Sequence, residues 1–375
     1  MVLEHAWADL RSALFRRDEI DALPVMDGPL MPNKRLDEAP VLGAPLRGCD
    51  DVATGDDGSV FVSAGRQIVQ LSGADLDERR VVAAFDHAVT ALTCAHGALY
   101  AGLAGAGVVK LTHGREVARL GPVDGRPLHC PTAITALPDG RIAIAEGSSL
   151  HLPEQWCRDL MERRALGRIV FADAGLGSAI SRLDQLAWPY GLAVSADGAE
   201  LWFSESWRHR VLALSLHEPQ ARAPRVVLRN LPGYPARLYA DDAKGYWLSV
   251  PAVRTHLVEL VLRETRYREE MLAAVAPEFW IAPALGASGH YLEPLQGGSI
   301  KKLGVMKPWA PPRSYGLVLR LSLAGECLES LHSRVGGTHH GITAARRAER
   351  DGEGRLLIVS KGSGRVLAID TERAP

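Results

Sequence analysis

One pattern restricts this chain more than any other. A strand, tight turn, strand, corner, strand arrangement recurs six times, and its clearest copy runs from Trp188 to Leu216. Gly191-Leu192-Ala193-Val194-Ser195 is a short apolar run that ends at Ala196-Asp197-Gly198, where Asp-Gly marks a tight turn. Leu201-Trp202-Phe203 reads as the second strand, and Arg210-Val211-Leu212-Ala213-Leu214 as a third with alternating apolar residues. The other copies turn at Asp57-Gly58, His96-Gly97, Asp139-Gly140, Lys244-Gly245 and Asp351-Gly352. Most of these glycines lie roughly forty to sixty residues apart, the period of propeller blades built from four short strands. The one long interval, from Gly245 to Gly352, holds an insertion rather than a missing blade. Gly316-Leu317-Val318-Leu319 supplies the third strand of that fifth copy, and Cys327-Leu328-Glu329-Ser330-Leu331 its fourth. The pattern predicts an all-β fold, a six-bladed β-propeller.

A lone blade cannot bury both faces, so the repeat argues for one closed domain despite a length of 375 residues. The expected propeller covers residues 47–375, preceded by an element at 1–46. In that element Trp7, Leu10, Leu14 and Ile20 form one stripe of a short amphipathic N-terminal helix, and residues 24–46 read as an extended lead-in. Glu4, Asp9, Arg11, Arg16 and Arg17 interrupt any apolar run of signal-peptide type, and no run is long enough to span a bilayer. Five cysteines, without C-x-x-C spacing, fit reduced thiols in a cytoplasmic protein. A formal charge of -1 provides no field to attract nucleic acid.

Residues 254–313 form the blade-five insertion. Leu257, Leu260, Val261 and Leu262 fall at helical spacing, while Pro283, Pro294, Gly297, Gly298 and Pro308 enforce an irregular second half. A long irregular loop in a compact domain is usually a lid or a binding loop. The expectation is a lid over one mouth of the channel, with an interface element as the alternative.

No G-x-S-x-G elbow, P-loop, H-E-x-x-H or dinucleotide fingerprint is present. Lys361-Gly362-Ser363-Gly364 reads as a plain turn. A family resemblance is nevertheless visible. The stretch from Pro189 to Ser206, then Leu231-Pro232-Gly233-Tyr234-Pro235, then Gly245-Tyr246-Trp247-Leu248 resembles the strictosidine synthase-like proteins. That group shares a six-bladed superfamily with the paraoxonases and the gluconolactonase/regucalcin proteins. The resemblance covers roughly Arg47 to Asp370. It implies a central channel with a small-molecule site at one mouth, holding a metal ion in the hydrolytic members and none in strictosidine synthase.

The repeat puts one residue per blade at the start of the innermost strand, facing the channel. Counting back from each turn gives Asp50 or Asp51, Thr132, Tyr190 and Arg237, and blade two is small there, with His87 nearby. Matching His340-Gly341-Ile342-Thr343 to Tyr190-Gly191-Leu192-Ala193 gives His340 in blade six. In the metal-binding relatives the resemblance implies acids and asparagines at these positions. Here only Asp50 and Asp51 fit, while Thr132, Tyr190 and Arg237 replace the rest. A hard divalent cation needs six to eight oxygen ligands, and an arginine repels it. The expectation is therefore no metal and no cofactor, with Arg237 paired to Asp50 or Asp51 where relatives hold the ion.

The catalytic candidates are His340, Asp50 and Tyr190, and the substrate-binding candidates Arg237, Thr132, Asp51, His87 and His339. Each has a plainer alternative. His340 is equally a channel histidine held by a carbonyl, Tyr190 a plug, and the Asp50–Arg237 pair a structural clasp. Glu205, Cys49 and Cys130 are weaker candidates still. Where strictosidine synthase carries its catalytic glutamate, the corresponding neighbourhood is His339-His340. Two functions follow. One is a metal-independent enzyme on a small molecule, by ester or lactone hydrolysis or by amine-carbonyl condensation. The other is a non-catalytic binding or scaffold propeller with a decayed metal site.

Overall fold

In a computed structural model the chain is described over residues 23–73, 75–217, 223–241, 244–287, 301–302, 305–306, 312–350 and 353–370. The N-terminal helix expected around Trp7 to Ile20, most of the irregular half of the insertion and the turn at Gly352 lie outside them. Five antiparallel sheets of four strands and a sixth of three follow the chain, each built from neighbouring strands in order. The first strands are Cys49–Thr54, Val89–Ala95, Pro131–Ala136, Pro189–Val194, Leu238–Ala240 and Ile342–Arg350. Each packs on the first strand of the next blade, and the sixth returns to the first, so the ring is closed. The fold is all-β, a six-bladed propeller. Closure removes the inner edges that an open sheet would expose.

Turn chemistry explains the hairpins. Gly58, Gly97, Gly140, Gly198 and Gly245 all take positive φ, from 68° to 123°, which side chains with a Cβ resist. The sixth blade borrows its outer edge from the lead-in. Val41 bridges Leu367, Leu42 N–H donates to the Val366 carbonyl at 2.8 Å, and Ala368 N–H donates to that of Pro40 at 3.0 Å.

A hydrogen-bonded belt joins the blades around the axis. Thr90 donates to the Pro131 carbonyl (2.6 Å), Thr132 to Pro189 (2.7 Å) and Ser204 to Ala236 (2.7 Å). Ser249 donates to the Thr343 carbonyl (2.9 Å) and Thr343 to that of Asp50 (2.6 Å). Asp51 completes the belt by accepting from Leu92 N–H at 2.7 Å. Close approach matters here as well. A Cβ on Gly191 would sit 2.3 Å from the Ala236 carbonyl oxygen, so any side chain would push blades four and five apart.

Among the described residues, three α-helices lie in connections between second and third strands. Helix α1 (Trp156–Glu162) belongs to blade three, and α2 (His256–Arg263) and α3 (Thr265–Ala274) to blade five. Thr255 caps α2 by accepting from Val258 N–H at 3.2 Å. Leu160 and Met161 of α1 join Val258, Val261, Leu262 and Met271 in one apolar cluster with Tyr234 and Trp280. The two insertions therefore pack on each other. In an up-and-down blade, second-to-third connections emerge where first strands begin, so this cluster sits at the end where the ring residues start.

Candidate functional site

Strand register explains how the ring is made. Pairing of the first and second strands slips between Cys49 and Val52, Val89 and Ala91, Pro189 and Leu192, and Ile342 and Ala344. In blade three Ala133 and Pro131 pair while Thr132 between them does not. Bulges of this kind re-aim side chains. The residues they release are Asp50 and Asp51, Thr90, Thr132, Tyr190 with Gly191, and Thr343. Blade six thus contributes Thr343 to the ring, not His340. The match of His340-Gly341 to Tyr190-Gly191 is three positions out of register, because the blade-six slip falls at Thr343, between Ile342 and Ala344.

Arg237 fills the axis. Its Nη1 donates to Asp50 Oδ1 at 2.9 Å and to the Asp50 and Thr343 carbonyls at 2.9 and 3.1 Å. Nη2 donates to the Thr90 carbonyl, and Nε lies 3.2 Å from Asp51 Oδ2. The guanidinium also sits over the Tyr190 ring, 5.0 Å from its centroid. The second carboxylate oxygen of Asp50 accepts from Lys361 Nζ at 2.5 Å. Behind Arg237, Asp51 accepts from Tyr239 Oη and from the backbone of Val52 and Leu92.

Burial drives the two acids upward, yet they end on opposite sides. For Asp50, Lys361 and Arg237 outweigh burial and hold the carboxyl below the usual range. For Asp51, burial prevails over Arg237 and the Tyr239 hydrogen bond, and its pKa is raised. Burial opposes the charge on Arg237 and Lys361, but their carboxylates prevail and both stay firmly protonated. Burial and the Asp50 charge push the Tyr190 hydroxyl up to about 12.

Above this floor opens a small cavity of about 40 Å³. Its walls are Trp156, Trp188, Trp207, Tyr234 and Tyr190, closed on the insertion side by Leu285. The rings pack on one another. Trp188 stacks on Trp207 at 5.2 Å between centroids, and Tyr234 meets Trp207 edge-on at 5.9 Å. Trp207 is fixed by its Nε1–H, which donates to Asp159 of α1 at 2.8 Å.

Four of the residues expected from sequence line this cavity: Asp50, Thr132, Tyr190 and Arg237. Asp51 stands behind Arg237. His340 does not line it; one ring nitrogen is 2.8 Å from Ser314 Oγ and the other 2.8 Å from the Arg334 carbonyl. His339 contacts Ser363 Oγ at 3.2 Å, and burial lowers the pKa of both histidines. His87 is exposed and lies outside the cavity. Glu205 is consumed by Arg208, Arg210 and the Ala187 N–H. Cys49 and Cys130 are buried thiols with raised pKa, Cys49 to about 12.

Lys361 was missed, as were the three tryptophans and Tyr234. A topological signal existed. Lys361, Trp207 and Trp156 all lie between the second and third strands of their blades, the connections that surround the mouth. Among the described residues no group of three or more acids, histidines or cysteines is arranged to hold a metal ion. Asp50 and Asp51 are the only carboxylates in the ring, and protein cations already engage both.

No family model matches the chain. It is 27% identical over 216 residues to the adipocyte plasma membrane-associated protein of Bos taurus, covering 57% of this chain and 47% of that one. It is 24% identical over 160 residues to the strictosidine synthase-like 6 protein of Arabidopsis thaliana, covering 43% and 42%. Its homologues are strictosidine synthase-like proteins. The chain spans about half the length of the curated relatives it matches. A gluconolactonase of Xanthomonas campestris shares its fold with a TM-score of 0.59 at 13% identity, covering 88% of each chain. The calcium-binding protein regucalcin of Agrobacterium tumefaciens does so at 0.54 and 13%, covering 88% of this chain and 94% of that one. No helix among the described residues is long and apolar enough to cross a membrane.

Proposed function

We propose that this propeller binds a small organic molecule at the mouth of its channel and does so without a metal ion. The observation that carries the reading is the cavity itself. An aromatic wall of Trp156, Trp188, Trp207 and Tyr234 stands over a charged floor of Asp50, Arg237 and Lys361. Concave, mostly apolar sites with a few convergent polar groups are the usual form of a ligand pocket. Metal independence follows from the donor set: an ion between Asp50 and Asp51 would have to displace Arg237 and then find oxygens that the ring does not offer. Of the described insertion residues Leu285 lines the cavity, which supports a reading of the insertion as the cap of this site.

Binding without turnover is the better supported of the two expected functions. Ester or lactone hydrolysis, or amine-carbonyl condensation, calls for an acid or base poised near neutral pH. No cavity group among the described residues fits that need. Asp50 is held low, Lys361 is held high by Asp50, and Tyr190 titrates at about 12. His340, the base suggested by sequence, has both ring nitrogens occupied outside the cavity.

Two measurements test this. Chelation with EDTA should leave the melting temperature unchanged, and a drop of several degrees reversed by calcium would refute metal independence. Phenyl acetate and dihydrocoumarin should be hydrolysed no faster by the wild type than by the Lys361→Met variant. A wild-type rate that this substitution abolishes would make the protein an enzyme.

A further inference from the structure

The cavity wall holds two polar atoms without partners among the described residues. Trp188 Nε1 and Tyr234 Oη are buried, and neither has a hydrogen-bond partner among the described residues. Both side chains line the cavity and are only 2% and 3% exposed. Leaving a buried donor unpaired costs about 1–3 kcal/mol, so such atoms call for an explanation. A third donor is nearby. Lys361 Nζ carries three hydrogens, and Asp50 is its one hydrogen-bond acceptor among the described residues.

We infer that the mouth is built for an apolar or aromatic molecule bearing a carboxylate, whose oxygens accept from Trp188 Nε1, Tyr234 Oη and Lys361 Nζ. This rests on the ligand-pocket reading above and specifies its ligand class. The chemistry of the orphaned groups sets the choice. An indole N–H can only donate, and a phenol does so readily, so the missing partner must accept. An ammonium ligand has no acceptor to offer. The aromatic walls alone would suit a cation, but the face of Tyr190 is already taken by Arg237, 5.0 Å from its centroid. Lys361 and Arg237 would also repel a second positive charge. An anion, by contrast, meets the unused hydrogens of Lys361, while Asp50 keeps Arg237 as its partner. A carboxylate can reproduce the hydrogen bonds that water would otherwise make to these donors.

The test is a matched series, 3-phenylpropionate, 3-phenylpropanamide and 3-phenylpropylamine, titrated into the full chain by calorimetry. The acid should bind tightest, about tenfold or more above the amine, because hydrogen bonds to a charged group exceed neutral ones. Lys361→Met should bring the acid down to the level of the amide, and Lys361→Arg should keep the preference. Tyr234→Phe should weaken acid and amide alike with little change for the amine. Melting temperatures confirm that each variant is folded. Amine binding as tight as acid would overturn the carboxylate inference while leaving the ligand pocket in place. Failure of all three probes to bind at millimolar concentration would remove the pocket reading and this inference together.

Discussion

Two buried arginines in this propeller meet the same chemistry and end differently. Arg168 and Glu146 form an ion pair within blade three, with side chains 1% and 0% exposed. Every guanidinium nitrogen of Arg168 is used, Nε by Glu146 and the others by the carbonyls of Val123, Arg126 and Pro127. The second oxygen of Glu146 accepts from His129 N–H at 2.6 Å. Four of the five guanidinium N–H groups are thus engaged among the described residues, and neither residue lines the mouth cavity. Arg237 joins blade five to blades one, two and six, and its cluster includes Lys361, whose side chain is 30% exposed and lines the cavity. A network walled off from the cavity can only hold the fold together. One that presents a donor at a cavity wall can also recognise something. The difference lies in where the spare donor faces, not in the ion pair.

The largest test of this contrast is stability. Arg168→Met strands Glu146, which has no other cation among the described residues, and should cost about 5 kcal/mol. Arg237→Met leaves Asp50 with Lys361 and strands only Asp51, so about 3 kcal/mol is expected. Chemical denaturation of both variants checks the order, and the reverse order would break the comparison. Replacing the stranded acid by leucine in each background should recover much of the loss.

A smaller effect is expected at Lys361. Asp50 retains Arg237 when this lysine is removed, so Lys361→Met should cost no more than about 1–2 kcal/mol. A loss as large as that of Arg237→Met would mean that Lys361 belongs to the clasp and not to the ligand site.

The smallest effect is one of sign. Asp50 is shifted down, so its contribution is present above its unfolded pKa of about 3.9 and is lost as pH falls through its lower folded value. Burial raises Glu146 despite Arg168, so its contribution is present below its unfolded pKa of about 4.3 and is lost as pH rises through the folded one. The deficit of Asp50→Asn relative to wild type should therefore shrink below about pH 4. That of Glu146→Gln should instead grow as pH falls from neutral towards about 4. Denaturant melts across that range would show slopes of the same sign if the two sites were equivalent.

The blades were legible because each carries its own turn glycine and a period-two apolar pattern, both local signals. Asp50, Thr132, Tyr190 and Arg237 followed from the repeat, since a residue at a strand start is placed by counting. Motif matching failed in blade six. Its His-Gly pair imitates Tyr190-Gly191, but the bulge that frees the ring residue lies three positions later, at Thr343. Lys361 looked like part of an ordinary turn because its partner, Asp50, is 311 residues away in sequence. The tryptophans of the wall come from three separate connections or strand starts in blades three and four, and only the packing of those two blades brings them together.

The most direct test of the central claim is the electron density at the channel mouth, from crystals of protein purified without chelator. The account predicts the Arg237 guanidinium between Asp50 and Asp51, Lys361 on Asp50, and water or an organic molecule within hydrogen-bond reach of Trp188 Nε1 and Tyr234 Oη. A divalent ion bound by Asp50 and Asp51 with six or more oxygen ligands, and Arg237 swung away, would contradict it.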